Sequence, residues 1–188
     1  MAPQTSQDAL TVIARKLNDL AVPWMLTGSV AAFIYGRDRS TVDIDIVIGC
    51  ARLIPGELVR SLEPEYFLDE QMVRDSLRSG EMFNAIPMTG GPKIDFIPLK
   101  PDPFEQTAFR RRASVDWHGT ILSVATGKDL VISKLRWARE SLSERQLADV
   151  RAIMSLGLVD EDEDFRRWVA RLGLGETLDA SRETRYDA

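Results

Sequence analysis

Apolar residues recur along the chain with two spacings, which predict helices and strands in turn. Leu10, Ile13 and Leu17 follow the spacing of a helix face, and they predict an amphipathic first helix that extends to about residue 21. The short apolar run of residues 24–26 predicts a strand. Residues 42–48 alternate between Asp and apolar side chains at first and then become apolar throughout, which predicts a strand that enters a core.

The same reading extends to the end of the chain. Further strands are predicted at residues 66–68, 82–88, 93–98, 113–117 and 120–125, and further helices at 30–35, 54–62, 70–78, 102–110, 126–139, 143–156 and 165–172. We therefore predict an α/β (α+β) core over residues 1–125. A C-terminal helical segment over residues 126–175 would pack on the core, and residues 176–188 would form a flexible tail.

Composition narrows the class of protein. A length of 188 residues suits one domain, or one domain with a helical appendage, and 44% hydrophobic residues are enough for a real core. The net charge of −5 argues against a dedicated nucleic-acid-binding protein, although it leaves a local basic groove open.

Single residues and absent segments exclude other classes. The lone Cys50 allows no intrachain disulfide, and the lone His118 makes a zinc cluster or a Ser-His-Asp triad hard to build. No signal sequence and no run long enough for a membrane span is visible. We therefore expect a cytoplasmic protein without a membrane partner.

Two carboxylates at the mouth of the strand carry the clearest chemistry. Asp43 and Asp45 fall on one face of the strand, where they repel each other, and a divalent cation such as Mg²⁺ would resolve that repulsion. Upstream, Gly28 permits close approach of a ligand, and Ser29 adds a hydroxyl where a helix begins. These features together describe a site for a metal-bound nucleoside triphosphate. Alone, an Asp-x-Asp pair is more often a solvated strand end.

The order of these motifs resembles a known family. Gly28-Ser29, a spacer and then Asp43-Ile44-Asp45-Ile46 are similar to the signature of the polymerase-beta-type nucleotidyltransferase superfamily. The resemblance implies the nucleotidyltransferase fold with a mixed β-sheet. It also implies a third carboxylate on a later strand, for which Asp95 in Lys93-Ile94-Asp95-Phe96-Ile97 is the candidate, the alternative being an exposed carboxylate on an edge strand.

Other residues resemble the small bacterial members, including the type IV toxin-like nucleotidyltransferases of abortive-infection systems. Arg39-Ser40-Thr41 is similar to the segment before their Asp pair, and Lys134 to Arg139 is similar to their Lys/Arg-bearing helices. Arg39 and Lys134 are therefore candidates to reach the triphosphate, with Gly28 and Ser29. A surface lysine on an amphipathic helix is an equally weighted interpretation of Lys134.

The resemblance implies transfer of a nucleoside monophosphate from a nucleoside triphosphate to an acceptor hydroxyl, with release of pyrophosphate. Asp43, Asp45 and Asp95 would be catalytic and would hold Mg²⁺ or Mn²⁺. The acceptor stays open among RNA (tRNA ends in the toxin-like members), a protein and a small molecule, as does the oligomeric state. A role as a toxin with a cognate antitoxin follows from the resemblance alone. The alternative is a catalytically silent module that binds nucleotides or proteins on the same fold.

Overall fold

The chain divides into two compact units. The computed structural model describes residues 6–36 and 43–183. Unit 1 consists of residues 1–30 and 40–125, and unit 2 consists of residues 31–39 and 126–188, in each case as far as they are described. Unit 1 thus ends at residue 125, and the described residues 31–36 belong to unit 2 with the C-terminal helices.

The described residues of unit 1 form a mixed sheet of seven strands in the order β3-β4-β5-β2-β1-β7-β6. The strands are β1 (Trp24–Thr27), β2 (Asp43–Ile48), β3 (Tyr66–Phe67), β4 (Phe83–Pro87), β5 (Lys93–Pro98), β6 (Ala113–Trp117) and β7 (Thr120–Val124). The central strand β2 pairs antiparallel with β1 and parallel with β5, and β1 pairs parallel with β7. The predicted mixed sheet flanked by helices is therefore confirmed.

Helices are interspersed with the strands of unit 1 along the chain. Those of unit 1 are α1 (Ser6–Asp19), α3 (Pro55–Leu62), α4 (Glu70–Ser79) and α5 (Pro103–Arg110), while α2 (Gly28–Ile34) begins in unit 1 and ends in unit 2. Side-chain caps define several starts: Asp69 accepts a hydrogen bond from the Met72 amide at 2.7 Å, and Asp102 accepts one from the Glu105 amide at 2.9 Å. Each such cap stabilises its helix by about 1 kcal/mol.

The interior of the sheet explains which face of β2 is polar. Ile44, Ile46 and Ile48 have no exposed surface, and burying each contributes about 1.5–3 kcal/mol. Next to them, Phe96 on β5 stacks on Phe83 of β4 with ring centroids 5.2 Å apart. A slip of β2 by one residue would turn the isoleucines outward and bury both aspartates, so the core fixes which face carries the carboxylates.

The described part of unit 2 is helical. Its helices are α6 (Gly127–Ser141), α7 (Glu144–Ser155), α8 (Glu163–Arg171) and α9 (Gly175–Arg182). Residues 176–182 thus lie in a helix rather than in the predicted flexible tail. The reason is burial, because Leu178 is 7% exposed and Ser181 is 1% exposed. None of the described helices combines the length and the apolar character that a membrane span requires.

Candidate active site

Strand β2 presents two carboxylates on one face. Along the strand, Asp43, Asp45 and Val47 are half-buried and alternate with the fully buried isoleucines. This alternation places Asp43 and Asp45 on the same side of the sheet, two residues apart, as the sequence pattern predicts. Two of the three predicted acidic residues therefore lie side by side at the start of one strand.

The third carboxylate is on the neighbouring strand, in register. In the parallel β2–β5 pair, Asp45 is opposite Asp95, and Asp43 is opposite Lys93. Paired positions in adjacent strands lie about 5 Å apart with their side chains on the same face. The structure therefore brings Asp43, Asp45 and Asp95 to one face of unit 1.

Asp95 has two hydrogen-bond donors on one of its oxygens. The side chain of Asn84, opposite Asp95 on the antiparallel strand β4, donates to Oδ1 of Asp95. Lys93 Nζ lies 2.9 Å from the same oxygen. Because Asp95 is only 7% exposed, these donors hold the carboxylate in place and compensate for its burial.

The charge of Lys93 is stabilised by the acidic cluster. The hydrogen bond to Asp95 raises the pKa of Lys93, burial opposes this, and the charges of Asp95, Asp43 and Asp45 add to the increase. All three carboxylates therefore act on the Lys93 ammonium. Neither Lys93 nor Asn84 was among the predicted site residues, although the Lys-Ile-Asp spacing already puts Lys93 on the face of Asp95.

Gly28 lies against Asp45 where β1 passes into α2. Thr27, the residue before it, pairs with Asp45 across the β1–β2 ladder. Gly28 has φ of +67°, and a Cβ atom built on it would lie 2.7 Å from Cγ of Asp45. Only glycine suits both this backbone and this contact. Ser29 follows, half-buried, in the first turn of α2.

Comparisons with known proteins agree with this architecture. No family model and no curated protein matches the sequence. Among solved structures, an antigenic nucleotidyltransferase-like protein from Paracoccidioides brasiliensis is similar with a TM-score of 0.54 and 18% identity, over 95% of each chain. ANT(2")-Ia, solved in complex with adenylyl-2"-tobramycin, is similar with a TM-score of 0.55 and 15% identity, over 89% of this chain and 96% of that one. This chain has the nucleotidyltransferase fold. The fold that the Gly-Ser and Asp-x-Asp motifs imply is thereby confirmed.

A divalent cation on this nucleotidyltransferase fold would need oxygen donors, which the site contains. Three carboxylates on one face are the hard ligands that Mg²⁺ and Mn²⁺ prefer, and the β2–β5 register brings their backbones together. The side chains themselves do not yet surround one point. Within residues 6–36 and 43–183, no three acidic, cysteine or histidine side chains converge closely enough to hold a metal ion. The residues thus fit the cation in type and backbone position, but their side chains must reorient to bind it.

The two remaining predicted residues are placed differently. Lys134 belongs to unit 2, where it is 6% exposed and its Nζ lies 2.7 Å from Oδ2 of Asp149 and 3.3 Å from Oε1 of Gln146. It is therefore a buried, ion-paired lysine on α6 and not a surface lysine. Arg39 lies outside the described residues.

Proposed function

We propose that this protein is a metal-dependent nucleotidyltransferase. It would move a nucleoside monophosphate from a nucleoside triphosphate to an acceptor hydroxyl and release pyrophosphate. The single observation that supports this most is the register of β2 and β5, which places Asp43, Asp45 and Asp95 on one face of the sheet, with Gly28 against Asp45. On a nucleotidyltransferase fold, such a cluster is suited to the phosphate chemistry that oxygen-bound divalent cations support.

The carboxylates have distinct roles in this proposal. Asp43 and Asp45 would hold Mg²⁺ or Mn²⁺, which when bound neutralises phosphate charge and acidifies the acceptor hydroxyl. Asp95 would complete the ligand set and accept the proton of that hydroxyl. A bond then forms between the acceptor oxygen and the α-phosphorus, and the bond from that phosphorus to pyrophosphate breaks. Asn84 fixes the carboxylate of Asp95 during these steps, because it donates to Oδ1.

Four residues would bind the triphosphate. Gly28 and Ser29 would contact the β- and γ-phosphates through backbone amides and the Ser29 hydroxyl, since glycine leaves the start of α2 open to close approach. Arg39 and Lys134 would neutralise phosphate charge. For Lys134 this requires an exchange of partners, because its ammonium is bonded to Asp149 and Gln146.

The acceptor remains one of three classes. ANT(2")-Ia was solved with an adenylylated aminoglycoside, which supports including small polyhydroxylated molecules. RNA, tRNA ends in particular, comes from the resemblance to toxin-like members, together with a cognate antitoxin. A protein hydroxyl is the third class of acceptor. The net charge of −5 gives RNA no general electrostatic advantage. We therefore propose a test of all three classes in parallel.

A catalytically silent nucleotide-binding or protein-interaction module is the second candidate. A specific observation favours it, because Lys93 forms an ion pair with Asp95. The ammonium of the chain itself thus balances part of the carboxylate charge. With this ion pair, the carboxylates can stay folded on one face of the sheet without ever binding a metal. The two candidates differ in whether pyrophosphate is released.

The test is transfer of label from triphosphates that carry ³²P at the α-phosphate. Each of the four nucleotides is incubated with Mg²⁺ or Mn²⁺ and with RNA, protein or aminoglycoside acceptors, and pyrophosphate is measured alongside. We expect transfer by the wild type. Asp45→Asn and Asp95→Asn should reduce it at least about 100-fold, because several kcal/mol of charge stabilisation are lost.

Asp75→Asn is the matched control. Asp75 is an exposed aspartate on α4 that interacts with Gln71 and Arg78 at the surface, so its loss should leave the rate unchanged. Transfer at the wild-type rate by Asp45→Asn would refute the catalytic assignment. Binding of triphosphate without pyrophosphate release across the whole panel would favour the silent module.

A further inference from the structure

Lys93 is the one feature of the acidic cluster that the proposed function does not require. It lies on β5 two residues before Asp95, opposite Asp43 in the parallel register. Its Nζ is 2.9 Å from Oδ1 of Asp95, while its side chain remains 34% exposed. The ammonium is thus bonded within the cluster, yet the side chain has room to move toward solvent.

The cluster needs a cation whether or not a metal is present. Carboxylates gathered on one face of a sheet repel one another, and at partly buried positions this repulsion is weakly screened. Among the described residues, Lys93 is the cation that the structure pairs with Asp95. Its ammonium therefore offsets a charge that would otherwise oppose folding.

Asn84 and Lys93 donate to the same oxygen but differ in charge. Asn84 is neutral, so its hydrogen bond to Asp95 can persist when a cation binds to the carboxylate. Lys93 carries a full positive charge, and two cations on one carboxylate repel each other. Asn84 can hold Asp95 in both states, whereas Lys93 suits only the metal-free state.

We propose that Lys93 is a resident counter-cation, which occupies the cluster in the metal-free protein and leaves Asp95 when a divalent cation binds. This inference rests on the proposed function, because it assumes that the three carboxylates bind metal. Lys93 is then a positioning residue that lowers metal affinity and stabilises the empty site. Metal binding includes breaking its charge-assisted hydrogen bond.

The experiment measures the affinity of the purified full chain for Mn²⁺ alone, by electron paramagnetic resonance of the free ion. Lys93→Met should lower the Kd for Mn²⁺ about tenfold relative to wild type, which corresponds to about 1.4 kcal/mol. Lys93→Arg keeps the charge and should stay near the wild-type Kd. If Lys93→Met does not fold, Lys93→Gln carries the same expectation.

Lys100→Met is the matched control for the general loss of one positive charge. Lys100 is exposed just beyond the end of β5, and the Kd of this variant should change less than twofold. A second readout is stability. Metal-free Lys93→Met should unfold at a lower temperature than wild type, and saturating Mn²⁺ should remove that difference.

The outcomes separate the two ideas. An unchanged or weaker Mn²⁺ affinity in Lys93→Met, while wild type binds and transfers nucleotide, overturns the counter-cation role and leaves the proposed function intact. An equal gain of affinity in Lys100→Met also overturns it, since the effect would then be general. If neither wild type nor Lys93→Met binds Mn²⁺, the proposed metal-dependent function fails and the counter-cation role fails with it.

Discussion

Gly28 offers the sharpest test of the geometry beside Asp45. An alanine there would keep φ near +67° and would place its Cβ 2.7 Å from Cγ and 3.0 Å from Cβ of Asp45. The left-handed backbone costs a non-glycine residue about 1–2 kcal/mol. Relief of the overlap by side-chain and backbone shifts costs about 1–3 kcal/mol more. We expect Gly28→Ala to lower the free energy of unfolding by about 2–5 kcal/mol.

Gly80→Ala is the matched control for the backbone cost. Gly80 ends α4 with φ of +75°, and a Cβ atom there meets nothing within 4 Å. This variant should lose only the backbone contribution of about 1–2 kcal/mol. The difference between the two variants therefore measures the overlap with Asp45. Urea-induced unfolding, followed by far-ultraviolet circular dichroism, provides both values.

A double-mutant cycle identifies the partner in the overlap. Asp45→Ala removes the carboxylate, so Gly28→Ala should cost about 1–3 kcal/mol less in that background. Equal losses in Gly28→Ala and Gly80→Ala, with no coupling to Asp45, would show that the carboxylate does not lie against the start of α2. The arrangement of Gly28 and Asp45 in the proposed site would then be wrong.

Two further predictions concern buried ionisable groups. Lys134→Met should destabilise the protein by about 3–5 kcal/mol in urea, because it leaves the 1% exposed Asp149 without its ammonium partner. The double variant Lys134→Met/Asp149→Leu should recover most of that loss. A loss below about 1 kcal/mol in Lys134→Met alone would show that the two residues do not form a buried ion pair. Burial, with the charge of Glu65, raises the pKa of Tyr66 to about 12. The phenol of Tyr66 ionises in the unfolded state first, near pH 10. The free energy of unfolding should therefore fall by about 1.4 kcal/mol per pH unit between pH 10 and 12, relative to Tyr66→Phe. Parallel pH profiles of the two proteins would contradict the raised pKa.

Local patterns in the sequence predict much of unit 1. The alternation through Asp43 and Asp45 predicts both the strand and its polar face, because side chains on a strand point to opposite sides in turn. In unit 2, the helix predicted over residues 126–139 is also found, and the Thr126 hydroxyl caps its start by accepting a hydrogen bond from the Asp129 amide at 3.2 Å. Features of this kind depend on neighbours within a few residues.

Nonlocal features follow from the sequence only through the resemblance. The pairing of Asp45 with Asp95 joins residues 50 positions apart, and no spacing in either strand specifies that the strands are parallel neighbours. The helix over residues 175–182 is missed for a different reason. Its segment contains few apolar residues among polar ones, so it shows no clear helical periodicity. Burial of Leu178, a tertiary effect, decides its structure.

The charge balance of the cluster connects stability with the proposed activity. Asp43, Asp45 and Asp95 with Lys93 carry two excess negative charges, so the proposed metal site would keep an attraction for a divalent cation while the repulsion is partly offset. A cluster without Lys93 would bind metal more tightly but would weaken the fold around β2 and β5 whenever the metal was absent. A cluster with a second fixed cation would be stable and would attract little metal. The flexible side chain of Lys93 permits a state between these two extremes. Its ammonium can stabilise the folded protein without metal and can move away from Asp95 when a cation binds.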